Sequence, residues 1–308
     1  MTTLAAARTT GVNVGPFALP FLFILMWSSG YVVGKLALPY AGPFTLLFLR
    51  FGVAALVLLV VALVTRAPWP RQWKAYAHLV VVGLLIQALQ FSSLYTGLKL
   101  GVSAGVSALI VGTMPLFTAL GASAFLGERV SARQWLGLAG GLCGVLLVVA
   151  DKIGAGATGW AGCGAVVLAL AGITLGTLYQ KKYCAGMDLR TGGCVQLGVA
   201  SVVALALSLR VEGFQVEWTP TLLLASGWLS VVNSIGAISL LFFMMRKGEA
   251  SKVASLFYLI PGVTALLGFA LLGETMSVLA VAGFVVTAGA VYVCTRQDRR
   301  QSRQSCAA

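Results

Sequence analysis

Charged side chains are scarce in this sequence, and acids are the scarcest of them. Of its 308 residues only 9% are charged while 59% are hydrophobic, and eight Asp and Glu stand against 21 Lys and Arg. An ordinary soluble domain carries about 25% charged residues. So few polar side chains cannot cover a water-soluble globule of this size. This argues against a soluble enzyme, a nucleic-acid-binding domain and a disordered scaffold, and it predicts an all-α integral membrane protein.

Residue types that build metal sites and catalytic centres are also scarce. His78 is the one histidine, and the six cysteines show neither CxxC nor Cys/His spacing. The sequence lacks the GxxxxGKS or GxxxxGKT loop of an ATP-driven pump. We therefore expect no metal and no cofactor. We also expect no catalytic residue, because an intramembrane enzyme needs several polar groups arranged for chemistry.

Long apolar runs are what the sequence does contain. A helix needs roughly 20 apolar residues to cross a bilayer core. Ten such runs are present, at 17–38, 43–65, 75–98, 103–127, 133–150, 158–180, 191–210, 220–245, 251–273 and 276–295. The connections between them are short, so we expect no inserted soluble domain. The sequence therefore predicts ten transmembrane helices.

Most basic side chains collect on one face of the membrane when the ten runs are threaded through it. If the N-terminus is cytoplasmic, 16 of the 21 lysines and arginines lie on that face, four lie on the other, and Arg50 lies within the second run. Cytoplasmic loops carry an excess of Lys and Arg. The pattern predicts a multi-pass membrane protein with both termini in the cytoplasm. This clustering also accounts for the net charge of +13 without a nucleic-acid partner.

An internal repeat relates the two halves of the chain. Pro115 and the pair Gly127-Glu128 recur as Pro261 and Gly273-Glu274, all at an offset of 146 residues. A proline and a glutamate recurring 13 residues apart at one offset are hard to attribute to chance. Duplication in a purely structural membrane protein is the alternative interpretation.

The repeat has an odd number of spans, so its second copy must be inverted in the membrane. We expect a first five-helix repeat over 1–150, a second and inverted one over 151–295, and a basic cytoplasmic tail over 296–308. Inverted repeats are typical of alternating-access transporters, whose substrate site lies near the midplane where the halves meet.

Three sequence features together resemble a known family of transporters. They are Trp27-Ser28-Ser29-Gly30 in the first run, Arg50 in the second, and the Pro to Gly-Glu segments of the fourth and ninth. On ten helices in two groups of five, this pattern is similar to the EamA-type exporters of the drug/metabolite transporter (DMT) superfamily, and within them to the aromatic amino acid and paraquat exporters. The second half departs from it, since Ile173 occupies the position equivalent to Trp27. The resemblance implies export of small metabolites, often amino acids or drug-like compounds, across a bacterial inner membrane.

The sequence predicts a substrate site around two amides near the middle of the membrane. The 146-residue offset maps Gln87 in the third run onto Asn233 in the eighth. Gln90 lies one turn beyond Gln87 on the same face, and Tyr95 follows toward the outer end. Polar groups at this depth cost free energy and are functional candidates by default. The alternative is that the amides bond to each other or to a neighbouring backbone and hold helices together.

Aromatic and charged side chains supply further candidates for binding substrate. Trp27 lies at the centre of the first run, away from the interfacial belts where Trp is usual, and Ser28 beside it adds a hydroxyl. Tyr258, three residues before Pro261, is the comparable aromatic residue of the ninth run. Packing alone is the alternative for both aromatic residues. Arg50 is a candidate charge partner: it snorkels, pairs with carbonyls, or holds an acidic group of the substrate.

Prolines interrupt the fourth and ninth runs near their middles. Pro115 and Pro261 each remove one backbone hydrogen bond and kink a helix. We expect the two helices to bend there, opening first one face of the protein and then the other. A static kink that merely shapes the cavity is the alternative.

No acidic residue lies at the centre of any run. Small multidrug antiporters of the same superfamily use a buried acid to exchange protons for cations, and this chain offers none. We therefore expect facilitated movement, or a coupling mechanism that the sequence does not identify. The aromatic and amide groups near the midplane fit export of amino acids, aromatic ones included, and related amphipathic compounds. A multidrug or organic-cation exporter and a permease subunit of a larger complex are the alternatives. We expect a monomer whose partners are the lipid bilayer and a small-molecule substrate.

Overall fold

The computed structural model describes residues 18–126, 132–153, 157–244, 257, 259–275 and 277–295. These residues form helices and connecting turns without a β-strand, and Ala41 and Val216 form one isolated bridge. The helices make ten segments, called spans 1 to 10 below. In chain order they are Ala18–Ala37, Pro43–Val64, Trp73–Lys99, Ala104–Gly112 with Met114–Leu126, Ala132–Ile153, Ala157–Tyr183, Leu189–Glu212, Pro220–Trp228 with Leu229–Ala237 and Ile238–Met244, Ile260–Leu272, and Val278–Thr295.

Apolar side chains cover the outside of this bundle as well as its interior. Six spans (1, 2, 3, 6, 7 and 8) are long and apolar enough to cross a membrane, and spans 4, 5, 9 and 10 contain shorter apolar helices. Large side chains such as Val64 (77% exposed) and Leu224 (76% exposed) point outward. Lipid tails are as apolar as leucine, so such a surface is stable in a bilayer. The prediction of an all-α membrane protein is confirmed.

The repeat seen in the sequence is also present in the helix boundaries. Equivalent segments of the two halves start 146 residues apart, at Pro43 and Leu189, Gly83 and Leu229, Met114 and Ile260, and Ala132 and Val278. Span 2 packs on its equivalent, span 7, and span 5 packs on span 10. This packing is expected when a pseudo-two-fold axis relates two inverted halves. Two inverted five-helix repeats therefore describe the fold, while the domain limits at 150 and 295 stay predictions.

Spans 3, 7 and 8 change from α-helix to the wider π-helix along part of their length. The π-helical segments are Gly83–Leu89 in span 3, Ser208–Glu212 in span 7 and Leu229–Ala237 in span 8. Those of spans 3 and 8 begin at equivalent positions of the two halves. A π-helical turn carries one extra residue and occurs often at functional sites. Nothing in the hydropathy of the sequence predicted these segments.

The prolines of spans 4 and 9 lie at helix starts. Thr113 separates the two helices of span 4, and Pro115 is the second residue of Met114–Leu126. Pro261 is likewise the second residue of Ile260–Leu272. A proline is well tolerated in the first turn because that N–H has no partner within the helix. The interruption of span 4 is therefore a break at Thr113, where we expected a kink at the proline itself.

Candidate functional site

A buried arginine lies at the centre of the site. Arg50 on span 2 is 4% exposed. Its Nε donates a hydrogen bond to Ser234 Oγ at 2.9 Å, and its Nη1 donates to Tyr95 Oη at 2.8 Å. The guanidinium carbon lies 4.4 Å from the ring centroid of Phe91 and 5.3 Å from that of Phe51. Two hydroxyl oxygens thus accept hydrogen bonds from the guanidinium, and two aromatic rings lie within cation–π distance of it.

No described carboxylate neutralises this arginine. The acids in the described helices and turns stand at helix ends or between helices: Asp151, Asp188, Glu212, Glu217 and Glu274. A guanidinium has five N–H groups. Two of those of Arg50 have acceptors in the described part of the chain, and three do not. Arg50 is therefore a buried positive charge that the described protein atoms only partly satisfy.

Asn233 lies beside this cluster on the π-helical segment of span 8. It is 7% exposed, and its Nδ2 donates to the carbonyl of Met26 on span 1 at 2.5 Å. A Cβ atom at Gly30 would lie 2.7 Å from that Nδ2, and Tyr95 Oη donates to the Gly30 carbonyl at 3.4 Å. Asn233 and Tyr95 therefore meet at Gly30, where a side chain has no room. The Oδ1 of Asn233 is buried without a hydrogen-bond partner in the described residues.

Gln87 and Gln90 occupy the corresponding region of span 3. Gln87 is 9% exposed and is the fifth residue of its π-helical segment, as Asn233 is of the other. Gln90 is 4% exposed, and its Oε1 has no partner among the described atoms. The two predicted amides are thus buried at equivalent positions. Asn233 forms one interhelical bond, and whether either amide lines the substrate path stays a prediction.

Trp27 and Ser28 lie where span 1 approaches span 9. The Trp27 ring centroid is 5.3 Å from that of Phe257 and 5.5 Å from that of Phe23. Ser28 is fully buried, and its Oγ donates to the carbonyl of Ile260 at 3.3 Å. In this conformation Ser28 holds span 1 to the helix start that contains Pro261. Tyr258 lies outside the described residues.

The break of span 4 contacts the helix start of span 9. A Cβ atom at Gly112, the last residue of the first helix of span 4, would lie 3.0 Å from Cγ of Pro261. Next to the break, Thr113 Oγ1 donates to the carbonyl of Ile110 at 2.6 Å. The two predicted hinge regions therefore form one junction between the halves, and their motion stays a prediction.

An ion pair that sequence reasoning missed joins the two halves at one end of the bundle. Lys35 Nζ lies 2.5 Å from Glu274 Oε1 and also donates to the carbonyl of Val102 at 2.9 Å. Glu274 accepts the N–H of Ala104 at 3.1 and 3.0 Å, at the start of the first helix of span 4. A carboxylate is favoured there because helix N-termini are electropositive.

A sequence signal for this ion pair existed. The offset of 146 maps Lys35 onto Lys181 and Glu128 onto Glu274, so that both members recur together. Glu128 lies outside the described residues. Among those that are described, no group of three or more His, Cys, Asp and Glu side chains could hold a metal ion.

Comparison with known sequences agrees with the two-half fold. The sequence model of the EamA-like transporter family matches this chain twice, over residues 16–150 and 160–296. The uncharacterized inner membrane transporter YedA of Escherichia coli K12 is 28% identical over 85% of this chain and 84% of its own. A probable amino-acid metabolite efflux pump of Salmonella typhimurium is 27% identical over 89% of this chain and 93% of its own.

A solved structure shows the same fold. One crystal structure superposes with a TM-score of 0.63 and covers 91% of this chain and 97% of its own. The sequence identity is 18%, so this likeness concerns the fold alone.

Proposed function

This chain belongs to the EamA-like transporter family, and from that premise we propose that it exports neutral amino acids, aromatic ones included, and related amphipathic metabolites. It is a multi-pass inner membrane transporter of the DMT type. The Salmonella typhimurium relative is named a probable amino-acid metabolite efflux pump and aligns over nearly its whole length. That name supports amino acids as the substrate class.

The observation that carries the proposal is the composition of the buried polar groups. Among the described residues that are buried, Arg50 is the one with a charge, and its contacts are the hydroxyls of Ser234 and Tyr95 and the rings of Phe51 and Phe91. A buried positive charge repels organic cations, which argues against a cation exporter. A carrier of phosphorylated or nucleotide-linked sugars needs several basic groups to meet the phosphate charge. One arginine with neutral polar neighbours fits a solute that carries one carboxylate and little other charge.

We attribute movement to the junction between spans 4 and 9. The helix break at Thr113 and the helix start at Pro261 lie against each other, and the Lys35–Glu274 pair joins the halves at one end. Breaking one set of contacts while forming the equivalent set at the other end would expose the site to each face in turn. With both termini cytoplasmic, the Lys35 end faces outward. The described spans have no central acid, so we propose facilitated movement. We also propose that the transporter works as a monomer.

Counterflow in liposomes tests the proposed function. Vesicles loaded with unlabelled phenylalanine are diluted into labelled phenylalanine, leucine or threonine, with and without an imposed pH gradient. We expect uptake of each amino acid above that of protein-free vesicles, at a rate that does not depend on the gradient. Uptake of tetraphenylphosphonium and of no amino acid would instead support the organic-cation exporter. Inactivity of the purified chain, restored by a membrane extract, would support the permease subunit.

Removing both amides in the same assay tests the predicted midplane site. We expect the Gln87→Ala/Asn233→Ala variant to lose phenylalanine uptake. Gln72→Ala, in an exposed turn, is the matched control and should behave as the wild type. Unchanged uptake by the double variant would show that the amides serve packing alone.

A further inference from the structure

We propose that Arg50 is the group that binds the carboxylate of the transported solute, and that Tyr95 and Ser234 orient its guanidinium for this contact. This inference rests on the proposed function and deepens it. It assigns a chemical group of the substrate to a named side chain.

The charge of Arg50 is not balanced by any described carboxylate. An arginine side chain stays protonated in proteins, so burial cannot neutralise it by proton loss. Arg50 is 4% exposed, and no described carboxylate lies within ion-pair distance. The two hydroxyls that accept its hydrogen bonds and the rings of Phe51 and Phe91 stabilise a cation without removing its charge. A carboxylate from outside the protein would complete the site.

Three N–H groups of the Arg50 guanidinium have no described acceptor. Ser234 takes the Nε–H and Tyr95 takes one N–H of Nη1, which leaves both N–H groups of Nη2 and the second one of Nη1 without a described acceptor. The planar fork of a guanidinium matches the two oxygens of a carboxylate. The remaining donors suffice for such a two-point contact.

The two hydrogen-bond partners of Arg50 are themselves held in place by further hydrogen bonds. Ser234 Oγ donates to the carbonyl of Leu229 at 3.1 Å, so its lone pairs face the arginine. Tyr95 is fully buried, and its Oη donates to the carbonyl of Gly30. These bonds fix the direction of the guanidinium before any ligand arrives, which is how preorganised sites gain affinity.

The proposed anchor, Arg50 with Tyr95 and Ser234, joins the two halves. Arg50 and Tyr95 belong to spans 2 and 3 of the first half, whereas Ser234 lies on the π-helical segment of span 8 in the second. A carboxylate on Arg50 would therefore change contacts on both sides of the boundary along which the halves move. Binding and movement would be coupled through one side chain.

The equivalent positions of the other repeat carry no second anchor. The offset of 146 maps Arg50 onto Gln196, Tyr95 onto Leu241 and Ser234 onto Ala88. We therefore infer one carboxylate site per molecule. The competing interpretation is that Arg50 only fastens span 2 to spans 3 and 8, in which case ligand chemistry would not matter to it.

The test measures how strongly the transporter prefers a carboxylate. Labelled phenylalanine counterflow is competed with phenylalanine and with phenylalaninamide, which lacks the carboxylate. We expect wild type to prefer phenylalanine by tenfold or more, Arg50→Gln to show nearly equal inhibition by both, and Arg50→Lys to keep part of the preference. Arg71→Gln, in an exposed turn, is the control and should match the wild type. Full discrimination by Arg50→Gln would overturn the proposal.

Two further measurements cover the cases in which that assay fails. If Arg50→Gln does not fold, Tyr95→Phe and Ser234→Ala keep the charge and remove one orienting hydroxyl each, and each should reduce the carboxylate preference severalfold. Unchanged preference in both would contradict the orienting role and with it the proposal.

If wild type transports no amino acid, the proposed function fails, and the anchor is then tested by thermal unfolding in detergent. Hippurate should raise the melting temperature of wild type, raise that of Arg50→Lys by less and leave that of Arg50→Gln unchanged, while hippuramide should raise none of the three. Stabilisation of wild type by both compounds, or by neither, would reject the anchor as well.

Discussion

The two halves of this transporter share a backbone but differ in side-chain chemistry at equivalent places. Spans 2 and 7 start 146 residues apart and pack on each other, yet span 2 buries Arg50 where span 7 buries Gln196. Backbone groups in lipid must be satisfied within the helix, so helix geometry is strongly constrained in both copies. Side chains are free of that constraint. The inverted repeat therefore supplies the scaffold twice, while the buried charge at this position is present once.

The starts of spans 2 and 7 show the same divergence. Asp188 stands at the N-cap of span 7 and accepts the N–H of Arg190 at 2.9 Å. The equivalent N-cap of span 2 is Gly42, which has no side chain to offer. Glu212 of span 7 takes over and accepts the N–H groups of Phe44 and Thr45 at 3.0 and 2.9 Å. One half caps its helix locally, and the other is capped across the bundle.

Equivalent glycines of spans 1 and 6 offer the sharpest way to break the symmetry of the halves. A Cβ atom at Gly30 would lie 2.7 Å from Asn233 Nδ2, which must then leave the carbonyl of Met26. We expect Gly30→Ala to raise KM for phenylalanine about tenfold, a loss of about 1.4 kcal/mol. At Gly176 the same atom would meet the side chain and backbone of Ile86. Gly176→Ala should therefore lower stability by about 1–3 kcal/mol and leave KM unchanged.

Gly164→Ala is the control for this pair, because a Cβ atom there meets nothing within 4 Å. Counterflow gives KM, and thermal unfolding in detergent gives stability. An equal rise in KM for both substituted glycines would contradict the proposal that Arg50, with its partner Tyr95 at Gly30, is the one carboxylate anchor.

Exchanging the two capping solutions tests the second contrast. Glu212→Ala leaves the N–H groups of Phe44 and Thr45 unpaired, so we expect a loss of about 1–3 kcal/mol of stability. Gly42→Asp together with Glu212→Ala should recover part of it, because aspartate is a favoured N-cap residue. Gly42→Asp alone should not stabilise the protein, since its side chain would collide with the Glu212 carboxylate. A double variant no more stable than Glu212→Ala would refute this account.

If the two ends of the molecule open in turn, breaking the Lys35–Glu274 pair and making the equivalent change at the other end should have opposite effects on accessibility. Its side chains are 24% and 13% exposed, and a partly exposed pair is worth about 0.5–1 kcal/mol. In a cysteine-free background carrying Val102→Cys, we expect Glu274→Gln to increase labelling by an impermeant maleimide about two- to fivefold. Glu128→Gln, the equivalent change in the other half, should decrease it. An increase in both variants would argue against ends that open in turn.

Acid should slightly lower the stability of the half in which Asp188 caps span 7. Hydrogen bonds from the Arg190 side chain lower the pKa of Asp188 from 3.8 to about 2. Because the pKa is lower in the folded state, the contribution to stability is present above about pH 4 and is lost as pH falls toward 2. We expect the melting temperature of wild type to fall more steeply over this range than that of Asp188→Asn. Equal slopes would show that the pair contributes nothing, as for many exposed pairs.

Local properties of the chain sufficed to predict the class of fold. Ten apolar runs predicted ten helical segments, because crossing a bilayer requires a minimum apolar length wherever it occurs. The recurrence of Pro115 and Glu128 as Pro261 and Glu274 predicted the two halves, and the helix starts follow the same offset. The pairing of Gln87 with Asn233 correctly identified equivalent buried positions. Each of these inferences used hydropathy along the chain or the 146-residue offset between its two halves.

Contacts between distant segments decided the rest. Arg50 is charged in any fold, but only the packing of spans 2, 3 and 8 brings Tyr95 and Ser234, 45 and 184 residues away, to its guanidinium. Lys35 on span 1 likewise meets Glu274, which lies 239 residues later in the chain. The π-helical segments depend on how neighbouring helices fit together, which no apolar run encodes. A sequence specifies which groups are present, and tertiary structure decides which of them meet, because interaction energies depend on distances through space and not along the chain.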